Sequence, residues 1–580
     1  MSERSEGGTV DAGSPGAGDG GPSMDEIAAA VRGELCGPGG VWETATAGVL
    51  DVPSLVFVNR HRSLRDALLA DTAAHADREC LVLGDTRLTY ADVQRRVDAT
   101  AARLRALGVA KGDRVGILAA NCPEWVITFY ATVGIGGIVA AFNGWWTEAE
   151  IEHAIHLSEP TVIVGDTRRL ARAASIPDDI TVIDIDEQPD FFVEGEDAHP
   201  DVDIDEDDPA LILFTSGTTG RSKGALLSHR GLIGFVDGTM HNATEKKLIA
   251  LTSMGIDPAA VPDTPRISLN TAPLFHISGL MAGILMHFRS GSTVVFRSGR
   301  FDPADVLRLI EQERITTWAA IGSMAPLVMD HPDLATTDTS TLTRVSSGGS
   351  HFTRHLQDRV REAFPNAAPS IGQGYGSSES GGVVTSIGGE EFRANPDATG
   401  RACMGFEIEI RGDDGRAVAD GVDGEVHVRS AYTMLRYWGD DEATNETLKP
   451  GRWLAMGDIG RVEDGLLFLN SRARDMIIRS GENIYPAEIE QRLELHPAVG
   501  EVAVVGVDHL DHGQEVKAII VAADGGFDAD ELAAWCAATM AAYKVPTHWE
   551  RRHEPLPRNA SGKVVKGVLT GERELSDHED

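Results

Sequence analysis

The chain has 580 residues, 42% of them apolar and 24% charged, an ordinary globular composition with room for about three to five domains of roughly 100–200 residues each, or one large body with a satellite. Asp and Glu number 89 against 52 Lys and Arg, a formal net charge of −37. That sign repels a polyanion and argues against non-specific DNA or RNA binding, while a small anionic ligand in a locally basic pocket stays open. A membrane span needs about 18 apolar residues in a row, and the nearest stretch, 125–146, is broken by Asn143 and several glycines. Cys36, Cys80, Cys122, Cys403 and Cys536 form no C-x-x-C pair, which argues against a disulfide framework or structural zinc and for a reduced, cytoplasmic protein.

Residues 1–23 are rich in Gly, Ser and Asp without an apolar h-region, so a disordered tail is expected rather than a secretory signal. Residues 24–35 have helical spacing and suit a short docking helix. Helices are then expected over 64–75, 90–107 and 123–134, the second stopped by Gly108. Strands are expected over 79–83 and 86–89, around the Gly84-Asp85 hairpin signal, and over 114–118 and 161–165. Strands alternating with helices predict βαβ units and a mainly parallel α/β sheet. Residues 184–208 are sharply acidic and read as a solvated connection. A buried strand follows over 210–214. A β-rich stretch carries strands at 408–411, 425–429 and 466–469. Beyond residue 470 a compact α+β unit is expected, with strands at 475–478 and 502–507 and helices at 486–495 and 528–542. The division is a tail at 1–23, a large body at 24–470, a joint at 471–474, a small unit at 475–572 and a polar tail at 573–580.

The strongest local signal is Leu213-Phe214-Thr215-Ser216-Gly217-Thr218-Thr219-Gly220-Arg221-Ser222-Lys223-Gly224. An apolar strand runs into a loop of glycines and hydroxyls. Glycine permits close backbone approach, successive N–H groups can cradle phosphate oxygens, and Lys223 adds charge. The spacing is not that of a Walker loop. A flexible surface turn is the plain alternative, but so specific an order over twelve residues argues against it.

Residues 215–224 (TSGTTGRSKG) resemble the phosphate loop of the adenylate-forming superfamily of acyl-CoA synthetases, peptide-synthetase adenylation domains and luciferases. Further motifs follow in the family's order, and the resemblance spans about residues 60 to 570. Pro273-Leu274-Phe275-His276-Ile277-Ser278-Gly279 is similar to its aromatic-histidine segment, and Gly372-Gln373-Gly374-Tyr375-Gly376-Ser377-Ser378-Glu379 to its Y-G-x-T-E segment. Ser347-Gly348-Gly349-Ser350-His351 sits where S-G-G-A-P is common. Trp453 to Asp458 resembles G-W-x-x-T-G-D, with Met456 for the threonine. Residues 471–486 resemble the hinge segment of stand-alone acyl-CoA synthetases, with Ser471 and Ser480 in place of frequent glycines. Leu556-Pro557-Arg558-Asn559-Ala560-Ser561-Gly562-Lys563 completes the pattern.

The resemblance implies a large N-terminal adenylation body with a small mobile lid, and ATP, Mg²⁺ and coenzyme A as cofactors or cosubstrates. It implies a catalytic lysine at Lys563, His276 between the carboxylate and the thiol path, Mg²⁺ on Glu379 and an α-phosphate hydroxyl on Ser378. Nucleotide would be held by Thr215, Ser216, Gly217, Thr218, Thr219, Gly220, Lys223, Gly349, Tyr375, Gly376, Asp458 and Arg472, with Arg474 as the hinge. Ser278, Gly279, Ile321, Gly348 and Gly374 would line the acid pocket. The implied reaction turns a small-molecule carboxylate, fatty or aryl, into an acyl-adenylate with loss of pyrophosphate, then into a coenzyme A thioester. A natural-product adenylating enzyme serving a carrier protein or an amine, or activating an acid such as nitrite, stays open; so do a non-catalytic nucleotide binder and a homo-oligomer.

Overall fold

A computed structural model of the chain describes residues 22–173, 176–195, 199–215, 222–261, 264–297, 299–321, 324–348, 352–472, 475–479, 482–509, 513–523, 526–559 and 563–571. The expected tails, apart from residues 22–23, lie outside them, as does Arg474.

Three sheets dominate. The first has seven strands, ordered Arg436–Tyr437, Lys223–Ser228, Pro209–Thr215, Ile138–Ala141, Arg114–Leu118, Val162–Gly165 and Thr181–Asp184. The last five are parallel, and Lys223–Ser228 turns back antiparallel onto Pro209–Thr215. Ile138–Ala141 and Val162–Gly165 are buried along their whole length, which explains their unbroken apolar sequence. Helix Pro123–Gly134 is also buried at every position but Glu124. No helix among the described residues is long and apolar enough to cross a membrane.

The second sheet has fourteen strands. Its parallel half runs Glu79–Leu83, Thr293–Phe296, Ile267–Asn270, Thr317–Ile321, Arg344–Gly348 and Gly372–Ser377. Its antiparallel half continues through Gly382–Gly388, Ala398–Ala402, Leu466–Arg472, Trp453–Glu463, Gly424–Arg429 and Glu407–Arg411.

The third sheet is small and C-terminal. It has five strands: Glu482–Ile484, Ile477–Arg479, Gly513–Ala522, Val499–His509 and His548–Arg552. Helices Pro486–Glu494 and Ala529–Ala537 cover it, and Ile477, Ile489, Leu493, Val504, Ile520 and Leu532 form its own core. The chain is therefore a mixed α/β body with a small C-terminal domain.

Helix starts follow their capping residues. Thr89 and Asp92 form a capping box before Tyr90–Ala106, and Thr147 and Glu150 another before Glu148–Ser158. The first of these helices gives way to Gly108 at φ +93°, a conformation that favours glycine. Helix Met24–Cys36 docks as expected: Ile27, Val31 and Leu35 pack on Leu248 and Ile249, and Arg32 Nε donates to Glu245 at 2.8 Å.

The acidic 184–208 stretch is not merely solvated. Phe192 is buried, His199 bonds Asp98 at 2.9 Å, and Glu206 is gripped by Arg60, Arg62 and Arg230. These partners are distant in sequence, so charge counting along the chain could not reveal them. The expected helix over 528–542 ends at Ala537, where Thr539 and Met540 both donate to the Cys536 carbonyl before a 3₁₀ turn at Ala542–Lys544. The strand expected from residue 475 starts at Ile477.

Candidate active site

The C-terminal ends of the parallel strands in the long sheet open into one cleft of about 3160 Å³, which is also lined by both ends of the Thr215–Lys223 connection and by Asn559 and Lys563 of the small domain. Thr215 pairs with Lys223 across the hairpin, so the expected phosphate loop leaves and rejoins the sheet at one point. Ser216, Gly217, Thr218, Thr219 and Gly220 lie outside the described residues, as does Gly349. Ser222 is held from behind by His153, whose Nε2 is 3.0 Å from its carbonyl oxygen. The Lys223 ammonium sits 5.3 Å from the Tyr437 ring centroid.

Glu379 follows strand Gly372–Ser377 and lines the cleft with Ser378. Tyr437 Oη donates to Glu379 Oε1 at 2.8 Å. Burial and the adjoining carboxylate push the Tyr437 phenol well above its ordinary range, so it acts as a donor. Gly376 also lines the cleft; a Cβ there would fall 1.9 Å from the Gly382 oxygen, a contact no other residue type tolerates. Tyr375 Oη donates to Asp458 Oδ2 at 2.6 Å, and Asp458 is buried on strand Trp453–Glu463. Arg472 pairs with Asp458 in the strand register, though its side chain lies outside the described residues.

His276 precedes a π-helical segment, Ser278–Leu285, of a kind often found at functional sites. Its Nε2 is buried without a hydrogen-bond partner. Burial, with a contribution from the Lys563 ammonium, lowers its pKa to about 4, so the imidazole is neutral at physiological pH. Residues 276 and 563 both line the cleft. The Lys563 backbone is fixed by a reciprocal turn: its N–H donates to Asn559 Oδ1 at 3.0 Å, and its carbonyl accepts from Asn559 N–H at 2.9 Å.

Of the expected pocket residues, Ser278 and Gly374 line the cleft. Gly279 does not; it is pressed behind the wall, where a Cβ would meet the Pro273 oxygen at 2.0 Å. Ile321 and Gly348 pair at the ends of adjacent strands, with their side-chain surroundings outside the described residues. The sequence reading missed Tyr437 and a deeper arm of the cleft lined by Lys246, Arg266, His287, Thr317 and Arg344. None of these lies in a local motif; only the register of neighbouring strands collects them.

Comparison with known proteins follows the same division. Residues 69–438 match the family model described as AMP-binding enzyme, and residues 488–563 match the AMP-binding enzyme C-terminal domain. A feruloyl-CoA synthase from Amycolatopsis sp is 34% identical over 492 residues, covering 84% of this chain and 94% of that protein. An indoleacetate–CoA ligase from Aromatoleum aromaticum is 33% identical over 494 residues, covering 83% and 92%. The solved structure of o-succinylbenzoate CoA synthetase from Bacillus subtilis, in complex with its acyl-adenylate intermediate, superposes with a TM-score of 0.73 at 26% identity, covering 88% of this chain and 98% of that one.

Proposed function

The chain belongs to the AMP-binding enzyme family and is an AMP-forming acid–CoA ligase; on that premise we propose how its cleft works and which residues carry each step. ATP and coenzyme A as co-substrates fit the family. The observation that carries the reading is the convergence of Lys563, His276 and Glu379 on one cleft from segments far apart in the chain, with Asp458 next to the cleft-lining Gly457.

In the first half-reaction a carboxylate oxygen of the acid attacks the α-phosphorus of ATP. The bond to the bridging oxygen breaks and pyrophosphate leaves with the electron pair. Negative charge on the phosphate oxygens is met by the Lys563 ammonium, the Ser378 hydroxyl and the loop from Thr215 through Ser216, Gly217, Thr218, Thr219 and Gly220 to Lys223, an electrostatic contribution of the kind that usually dominates such chemistry. Asp458 accepts from the ribose hydroxyls, Arg472 reaches ribose or phosphate, and Tyr375, Gly376 and Gly349 border the adenine. Neutral His276 stands between the acid and the thiol path and does not repel an incoming cationic or neutral group.

Glu379 offers a hard carboxylate, held in place by Tyr437 Oη at 2.8 Å. One carboxylate with substrate phosphates and water is the usual donor set for Mg²⁺, so the residue fits that ion. When bound, Mg²⁺ would neutralise phosphate charge. In the second half-reaction the thiol sulfur of coenzyme A attacks the acyl carbon, losing its proton, and AMP leaves. Lys563 and a thiol channel cannot both occupy the cleft, so the C-terminal unit turns about 471–474, with Arg474 as pivot, a hinge exchange of known type.

The acid runs from the reacting centre past Ser278, Gly374, Gly348 and Ile321, whose small or short side chains leave room for an aryl ring or an extended chain. The aryl acids named for the relatives support this width. Pyrophosphate release, measured with MgATP and a panel of carboxylates with and without coenzyme A, tests the reading. Acid-dependent release and a thioester product are expected; release without thioester, or AMP trapped on an amine, would overturn the thiol assignment.

A further inference from the structure

The deeper arm of the cleft is built like a receptor for charge. Its floor is formed by parallel strands in register. Asn270, Ala319, Ser346 and Gly372 make one row, and Ser268, Thr317 and Arg344 the row beneath it. Arg266 lies just before strand Ile267–Asn270, on the other side of Thr317 from Arg344. The imidazole of His287 closes the arm from helix Met286–Arg289.

Among the described residues neither guanidinium has a hydrogen-bond or ion-pair partner. The Thr317 hydroxyl, buried between the two arginine-bearing strands, has none either. Three acids of the cleft wall are engaged elsewhere: Glu245 by Arg32 at 2.8 Å, Glu391 by Arg401 at 2.8 Å and Glu390 by Arg393 at 3.2 Å. Lys246, from helix His229–Ser253, faces the same arm and donates to Ser386 Oγ at 3.3 Å. The arginines repel one another. Burial and Arg266 lower Arg344 to about 10, still charged at neutral pH, while burial and both arginines hold His287 near 3 and therefore neutral.

Partly buried cations that face each other without counter-charges are costly and mark functional positions. We infer that this arm is a subsite for a second carboxylate, so that the acid activated here is a two-ended dicarboxylic acid, held at its far end by Arg344, Arg266 and the Thr317 hydroxyl. The inference rests on the ligase reading above. The strands also set the length of the acid. From Gly348 to Arg344 is four residues, about 13 Å at roughly 3.3 Å per residue, so the two carboxylates must be separated by an extended spacer rather than by one or two carbons.

The test measures pyrophosphate release by the full chain with MgATP and coenzyme A for matched pairs of acids. Decanedioic acid is compared with its monomethyl ester and with decanoic acid, and 4-carboxycinnamic acid with its 4-methyl ester. The diacid of at least one pair should have a kcat/KM at least about tenfold above its neutral-ended partner, the range of a charge-assisted hydrogen bond. Arg344→Met should reduce that ratio to near one, and Arg344→Lys should retain part of it. Arg266→Met, at the other side of Thr317, should lower the ratio as well and serves if the Arg344 variants do not fold. Neutral-ended acids used as well as the diacids in both pairs would overturn the second-carboxylate subsite and leave the ligase reading standing. Absence of release with these acids and with the wider carboxylate panel would overturn both.

Discussion

Tyr375 donates its phenolic hydrogen to Asp458 Oδ2 at 2.6 Å, joining strand Gly372–Ser377 to strand Trp453–Glu463, both of which contribute residues to the cleft wall. That bond fixes the orientation of the Asp458 carboxylate. Asp458→Ala should weaken ATP more than the acid, because only the nucleotide loses an acceptor. A charge-assisted hydrogen bond contributes roughly 1.5–3 kcal/mol, so the KM for ATP should rise about ten- to a hundredfold. Steady-state pyrophosphate release at varied ATP and varied acid checks the split; an unchanged KM for ATP would remove Asp458 from the nucleotide site.

Lys563 reaches the cleft from the small domain, where it is electrostatically coupled to His276. Lys563→Ala should abolish adenylation while leaving transfer from a supplied acyl-adenylate to coenzyme A largely intact. Single-turnover assays of each half-reaction separate the two. Equal loss in both would contradict a lysine that serves only the first.

Tyr437 acts through Glu379 rather than on substrate, since its hydroxyl holds Oε1 at 2.8 Å. Tyr437→Phe should raise the Mg²⁺ concentration needed for half-maximal rate by about tenfold, the loss of one hydrogen bond to a charged group. The rate at saturating Mg²⁺ should recover. A Mg²⁺ titration of initial rates reads this directly, and a lowered rate that Mg²⁺ does not restore would point to a purely structural role.

His229 is fully buried, and its Nδ1 accepts from the Leu64 N–H at 3.1 Å. Burial lowers its pKa to about 4 from the ordinary value of 6.5. Between those values the unfolded chain binds a proton that the folded chain refuses. The stability is therefore present above about pH 6.5 and is lost as pH falls toward 4, on the order of 3 kcal/mol for a shift of this size. His229→Gln keeps an acceptor and does not titrate. The midpoint of thermal unfolding should fall less steeply with acid in this variant than in the parent; parallel curves would assign the acid sensitivity elsewhere.

Much of the architecture was legible from local pattern. The unbroken apolar runs at 115–118, 162–165 and 210–214 could bury both faces only inside a parallel sheet. Helix starts followed capping residues whose partners lie three positions away. The candidate site was legible because the contacts proposed for phosphate and adenine fall in short, contiguous segments, as in Tyr375, Gly376 and Glu379. Helix ends were less so: the 528–542 helix stopped five residues early because its last turn loosened into a 3₁₀ connection.

What the chain alone determined is therefore what is written in neighbouring residues: the family, through motifs such as the 215–224 run and the Tyr375-Gly376 segment, and the sheet-forming strands. What only the tertiary structure decided is every relationship between distant segments. The grip of Arg60, Arg62 and Arg230 on Glu206, the donation of Tyr437 to Glu379, the burial that keeps His276 neutral, and the meeting of Arg266, Thr317 and Arg344 all depend on strand order and register. The physical reason is that charge pairing and desolvation act through space, and residues 266, 317 and 344, brought together by the pairing of three strands, carry no shared signal along the chain.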